Sequence, residues 1–294
     1  MIPRFYDPES LKRIQQLELR ARYIVEGALS GHHKSPFFGQ SLEFLQHRQY
    51  MPGDDIRNID WKAWGKTDRF YIKQYEDETN LRASFLIDSS ESMLYGEHRG
   101  TGMSKYEYAC TLAVCLAYLV LAQQDSAGLI RFDEKIEQIV PQKNSLDHLK
   151  TIIQALDIDH PREKTDLESI LEKSAEAFPR KGITVLFSDL FVPRDGLWKG
   201  LKRLRASGHD LIVFHILDDD ELEFTFSGPT QFEGLEVPDI LRCNPRALRD
   251  AYLGAIHTYL DEVKTGCSKL RADYSLVRTS DPFDVVLSRI LTNR

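Results

Sequence analysis

The rhythm of apolar and polar positions changes near residue 81, and that change divides the chain. Before it, residues 8–28 set Leu11, Ile14, Leu17 and Leu19 at helical spacing among charged positions, which predicts an amphipathic helix. The segment GHHKSPFFGQS reads as a loop. Two strand-like runs follow, around Glu43–Tyr50 and Arg69–Tyr75, on either side of a turn-rich stretch containing Pro52-Gly53-Asp54-Asp55. After residue 81, short runs of Val, Ile, Leu and Phe recur at Ala83–Ile87, Ala127–Phe132, Ile183–Phe187, Leu211–Leu217 and Tyr274–Val277. Helical patterns at about 104–123, 145–156, 166–178, 195–206, 245–265 and 282–292 separate most of them.

Continuously apolar strands alternating with helices predict a mainly parallel sheet covered on both faces. The fold class expected is therefore α/β: an open, doubly wound sheet over residues 81–294, preceded by a small α+β accessory region over 1–80. Lys135–Val140 follows its predecessor too closely for a crossover and reads as an antiparallel hairpin strand. The acidic, alternating stretch Asp218–Glu236, with Glu221, Glu223, Phe224 and Phe226, reads as an irregular hairpin insertion.

Charge and composition narrow the function classes. The formal charge of −7 argues against nucleic-acid binding, which needs a basic face to meet phosphates. Residues 1–80 hold twelve basic and twelve acidic side chains, so the excess acid belongs to the α/β part. Cys110, Cys115, Cys243 and Cys267 form no paired spacing and read as free thiols of a reducing compartment. The polar N-terminus lacks the apolar stretch of a signal peptide. The run Tyr108–Ala122 falls short of the roughly 20 residues a span requires and reads as a buried helix. A cytoplasmic protein without a membrane span is the expectation.

In a doubly wound sheet, ligands sit beyond the carboxyl ends of the strands. Three oxygen-rich segments fall at that edge: Asp88-Ser89-Ser90-Glu91-Ser92 after the first strand, Ser188-Asp189 after a later one, and Thr165 at a helix start between them. The alternation of Asp88, Ser90 and Ser92 lets all three point one way if the backbone stays extended. Two carboxylates and three hydroxyls are hard donors, suited to Mg²⁺, Mn²⁺ or Ca²⁺ and not to zinc or copper. Each piece has a plainer use: Asp88-x-Ser as an N-cap or turn, Thr165 with Glu168 as a capping box, Asp189 as a turn residue. Their arrival in order at one edge is what points to a cation site. His32 and His33, with no third ligand at suitable spacing, read as surface residues. Tyr106, Tyr108, Tyr118, Cys110 and Cys115 read as helix packing.

Asp88, Ser90 and Ser92, then Thr165, then Asp189 resemble the metal-ion-dependent adhesion site of von Willebrand factor A domains, a DxSxS run with a distant Thr and Asp. The resemblance implies those five residues as the cation site; the Arg162-Glu163-Lys164 stretch before Thr165 departs from the glycine-rich segment common there. Upstream, Arg48, Tyr50, Gly53, Asp54, Asp55, Arg57, Asp60 and Trp61 resemble the R-x-Y-x-x-G-D-D-x-R-x-I-D-W signature of the DUF58 family, which precedes a von Willebrand A-like domain. That family implies a cytoplasmic or membrane-anchored partner of MoxR-type AAA+ ATPases; the exchangeable position of a hydrated cation lets a carboxylate from that ATPase or its client complete the coordination. The signature itself reads as a packing element or as a docking surface, with Pro52-Gly53 fitting a type II turn and Trp61 and Trp64 suited to anchoring. A metal-dependent phosphohydrolase and a scaffold with a vestigial metal site are the alternatives. The first needs a second Asp where Ser90 stands, and the chain has no P-loop for a nucleotide.

Overall fold

β3 (Arg82–Asp88) is the strand around which the sheet is organised, and every one of its last six residues is buried. The computed structural model describes residues 17–25, 42–50, 61, 64–65, 70–77, 81–96, 103–157, 167–226, 230–233, 240–243 and 245–292. Helix α1 covers 17–25. β1 (Leu42–Gln49) pairs antiparallel with β2 (Tyr71–Asp77), matching the two upstream runs. After β3 come α2 (Lys105–Ala122), β4 (Ser126–Phe132), β5 (Ile136–Lys143), α3 (His148–Leu156) and α4 (Leu167–Ala177). Then follow β6 (Ile183–Ser188), α5 (Arg194–Ala206), β7 (Asp210–Leu217) and α6 (Asp219–Glu223). The hairpin β8 (Thr230–Glu233) and β9 (Ile240–Cys243), α7 (Pro245–Lys269), β10 (Asp273–Arg278) and α8 (Phe283–Thr292) complete the order.

The main sheet runs β10-β7-β6-β3-β4-β5, parallel except for the edge strand β5, which pairs antiparallel with β4. Counted in chain order the strands lie 6-5-4-1-2-3, the open doubly wound arrangement the sequence predicts. Side chains of alternate parity serve opposite faces. Leu86, Ile130, Phe132, Leu186 and Val213 meet α4, α5 and α7 through Leu171, Leu197, Leu201, Leu204 and Val263. On the other face Phe187 and Phe214 stack at 5.0 Å between centroids. The apolar helix α2 is a core helix: nearly all its residues are buried, so its length and hydropathy serve packing. Ser104 caps it, accepting the Glu107 N–H while the Glu107 carboxylate accepts the Ser104 N–H.

The chain divides into two compact units, residues 1–36 with 82–294, and residues 37–81. The sequence grouped 1–80 together, whereas α1 packs on the larger unit. Ala21 and Val25 are buried, the Cys115 thiol donates to the Ala21 carbonyl, and the Arg22 guanidinium lies over Tyr118. In the smaller unit Trp64 stacks on Phe70 at 5.8 Å while Trp61 meets both edge-on. One expectation needs correction: the 218–236 stretch is not all irregular. The Asp218 N–H donates to the Glu221 carboxylate and the Asp218 carboxylate accepts from Asp220, so a reciprocal cap nucleates α6 and the hairpin starts later.

β3 and β6 run so close at their amino ends that a methyl group on Gly182 would lie 2.2 Å from the Arg82 carbonyl oxygen, a backbone atom that cannot rotate away. Gly182→Ala is expected to destabilise the protein by about 1–3 kcal/mol, read as a lowered midpoint in urea unfolding, with an unchanged midpoint refuting the packing.

Candidate metal centre

β3 and β6 are hydrogen-bonded neighbours, yet their following helices depart to opposite sides, α2 toward β4 and α5 toward β7. That divergence is the switch point where such sheets open a crevice. Ile87 lies beside Phe187 in the register, so Asp88 and Ser188 leave the sheet side by side, and the Ser188 hydroxyl donates to Asp88 Oδ2 at 2.6 Å. The Ser90 N–H donates to Asp88 Oδ1 at 3.0 Å. Ser89 ties the loop down through its N–H and hydroxyl, both donating to the Phe132 carbonyl at the end of β4.

The extended backbone invoked for Asp88, Ser90 and Ser92 is not what brings them together. Ser90 is extended, but Glu91–Leu94 form a turn of 3-10 helix. The turn still converges the hydroxyls, with Ser90 Oγ and Ser92 Oγ 3.1 Å apart. Across the crevice Asp189 follows β6 and is buried. Its Oδ1 accepts the Phe191 N–H at 3.2 Å. Leu190 takes a left-handed backbone, φ 55°, held by the Ser188 hydroxyl on its N–H and the Tyr259 hydroxyl on its carbonyl. This sharp turn aims Asp189 at the rim.

Four of the five expected ligands (Asp88, Ser90, Ser92 and Asp189) therefore share the switch-point rim; Thr165 lies outside the described residues. So do His32, His33, Gly53, Asp54, Asp55, Arg57 and Asp60. Of the upstream signature, Arg48 lies in β1, the Tyr50 N–H donates to the Phe70 carbonyl, and Trp61 joins the aromatic cluster. Cys110, Cys115 and Cys267 are buried free thiols. Tyr106 and Tyr108 are buried in α2, the Tyr108 ring stacked on Phe283.

Sequence reasoning missed four participants. Ser188 bridges Asp88 directly. Lys105, fully buried in the first turn of α2, places Nζ 2.8 Å from Asp189 Oδ2 and 2.7 Å from Glu221 Oε1. A cation there opposes the helix macrodipole, and that mismatch was the available sign of an anionic partner. His215 is buried beneath Asp189. The Asp189 carbonyl can only accept, so Nε2 donates to it at 2.9 Å and Nδ1 accepts from Tyr274 at 2.9 Å. Burial pushes the His215 imidazole down to about 4, which keeps it neutral.

Burial, with the Asp189 charge adding to it, pushes the Asp88 carboxyl from 3.8 up to about 7, against the hydrogen bonds from Ser188 and Ser90. Asp189 goes the other way: burial raises it, but the Lys105 charge and hydrogen bond, with those from Ser92 and Phe191, outweigh this and hold it low. Lys105 is likewise desolvated yet held protonated by its two carboxylates. Two buried carboxylates, one of them shifted toward its neutral form, and converging hydroxyls form a set that fits a hard divalent cation. No cluster of three or more His, Cys, Asp and Glu suited to metal is present among the described residues.

A family model described as "Protein of unknown function DUF58" matches residues 46–258. The uncharacterised protein Rv1480 of Mycobacterium tuberculosis is 23% identical over 98% of this chain and 90% of its own length. Among solved structures, BatB from Bacteroides thetaiotaomicron is similar with a TM-score of 0.44 and 14% identity, covering 72% of this chain and 97% of that one. The SpRpn10 VWA domain is similar with a TM-score of 0.42 and 11% identity, covering 72% and 95%.

Because the folded Asp88 value lies above its unfolded one, its stabilising contribution is complete below about pH 4 and disappears as pH rises through about 7. In chelator, thermal stability should therefore fall between these limits, and Asp88→Asn should flatten the fall. A slope identical in both proteins, measured by calorimetry across that range, would contradict the assignment.

Proposed function

Since this chain belongs to the DUF58 family, whose members are described as proteins of unknown function, we propose that its α/β unit is a cytoplasmic, divalent-cation-dependent protein-interaction module. Asp88, Ser90 and Ser92 would hold Mg²⁺, or Mn²⁺ or Ca²⁺ in its place, with Asp189 and Thr165 completing the set. Bound, the cation supplies a Lewis-acidic position that a carboxylate from another protein can fill. The partner proposed is a MoxR-type AAA+ ATPase or its client, a choice that rests on the resemblance of the Arg48–Trp61 segment. The role is binding and not catalysis.

The observation that carries this reading is the Asp88–Asp189 pair, buried at the switch point with Ser90 and Ser92 converging beside it. Buried like charges are costly without compensation, and a site that shifts one of them toward its neutral form gains by exchanging that proton for a cation. A phosphohydrolase of the DxDxT kind needs its second acid two residues after the first, where this chain has Ser90.

Capture of a partner from extract of the native cell on immobilised protein in Mg²⁺ tests the reading. Asp88→Ala and added EDTA are each expected to abolish capture while the far-ultraviolet circular dichroism stays unchanged. Undiminished capture by the variant, or in EDTA, sinks the bridging role. Asp88 must also release its proton to bind, so Mg²⁺ affinity is expected to be weaker at pH 6 than at pH 8. Titration calorimetry in buffers of different ionisation enthalpy checks this, and a pH-independent affinity without proton release would exclude Asp88 as the ligand.

A further inference from the structure

The Lys105 ammonium is a cation already seated at the rim. Its stem is enclosed, Nζ reaches both Asp189 and Glu221, and the Phe191 ring covers it at 5.2 Å from ammonium to centroid. Glu221 is itself anchored: its second carboxylate oxygen accepts the Asp218 N–H at 2.8 Å, and the Tyr252 hydroxyl donates to its carbonyl at 2.8 Å. On Asp189, Oδ2 is taken by Lys105 and Oδ1 accepts from Phe191. An incoming divalent ion must either share Asp189 with an ammonium or displace it, and repulsion between cations is strong in so dry a place.

We propose that Lys105 is a tethered counter-ion that competes with the free divalent cation for Asp189 and keeps the site at low intrinsic affinity. The proposal rests on the cation reading above and adds its regulation. Lys105 acts through Asp189, so it is a positioning residue. A weak site of this kind fills when a partner's carboxylate supplies the negative charge that Asp189 has committed to Lys105. Cation and partner then bind as a pair, each raising the other's affinity.

Mn²⁺ titration of the full chain, followed by calorimetry and by electron paramagnetic resonance, provides the test. Lys105→Met combined with Glu221→Gln removes one buried positive and one buried negative charge together, so the net charge at the rim is conserved while Asp189 is released. This double variant is expected to bind Mn²⁺ roughly tenfold or more tightly than wild type, with a correspondingly larger Mn²⁺-induced rise in Tm. Equal or weaker binding by the folded double variant overturns the proposal. Glu221→Asp is the second arm if the double variant does not fold: the shortened anchor draws the ammonium off Asp189, and again only tighter Mn²⁺ binding agrees with the proposal. Asp88→Asn placed on each background keeps the two ideas apart. Mn²⁺ binding that needs Asp88 but is no tighter without Lys105 defeats the tether and leaves the cation site standing. The absence of Asp88-dependent binding in every background defeats both.

Discussion

The parallel pairing of β3 with β6 is the constraint on which the rest of the molecule turns. Their register sets Ile87 beside Phe187, so the next residue on each strand emerges at the same height above the sheet. The helices that follow leave in opposite directions, which opens a crevice between the two strand ends. Residues a hundred positions apart thereby become direct neighbours, as the Ser188 hydroxyl and the Asp88 carboxylate show. Helix α2 then starts close enough for Lys105 to reach over Asp189, and the reciprocal cap of α6 holds Glu221 where it can meet the same ammonium.

The rim is an electrostatic compromise rather than a simple acidic pocket. The buried Lys105 ammonium is shared by Asp189 and Glu221. Asp189 is held ionised by this partnership, while burial and the neighbouring Asp189 charge drive Asp88 toward its neutral form. A buried ion pair adds little to net stability once desolvation is counted. Its consequence here is geometric: it fixes where the rim's charges stand, and the neutral His215 beneath Asp189 fixes the backbone that carries them.

Much of this was legible in the sequence, for identifiable reasons. The central strands are buried on both faces and so appear as unbroken apolar runs, and the acids that end them, Asp88 and Asp189, mark the rim directly. Ser90 and Ser92 were expected to align by continued extension, whereas a 3-10 turn converges their hydroxyls. Lys105 left one local sign, a cation at a helix start, but its partners come from the ends of β6 and β7, and no local pattern names them. Glu221 was hidden inside a stretch read as irregular, although Asp218 three residues before it already spelled a helix start. The place of α1 was also lost to a reading by rhythm, because helical periodicity says which face is apolar and not which body it will cover.

That placement of α1 alters how the smaller unit is attached. Residues 37–81 fall between two stretches of the same larger body, so the chain departs from that body and returns to it. The segment is thus an insert within a discontinuous domain. Trimming the chain to begin at its first sheet strand would strip Ala21 and Val25 from their contacts and leave part of the core facing water.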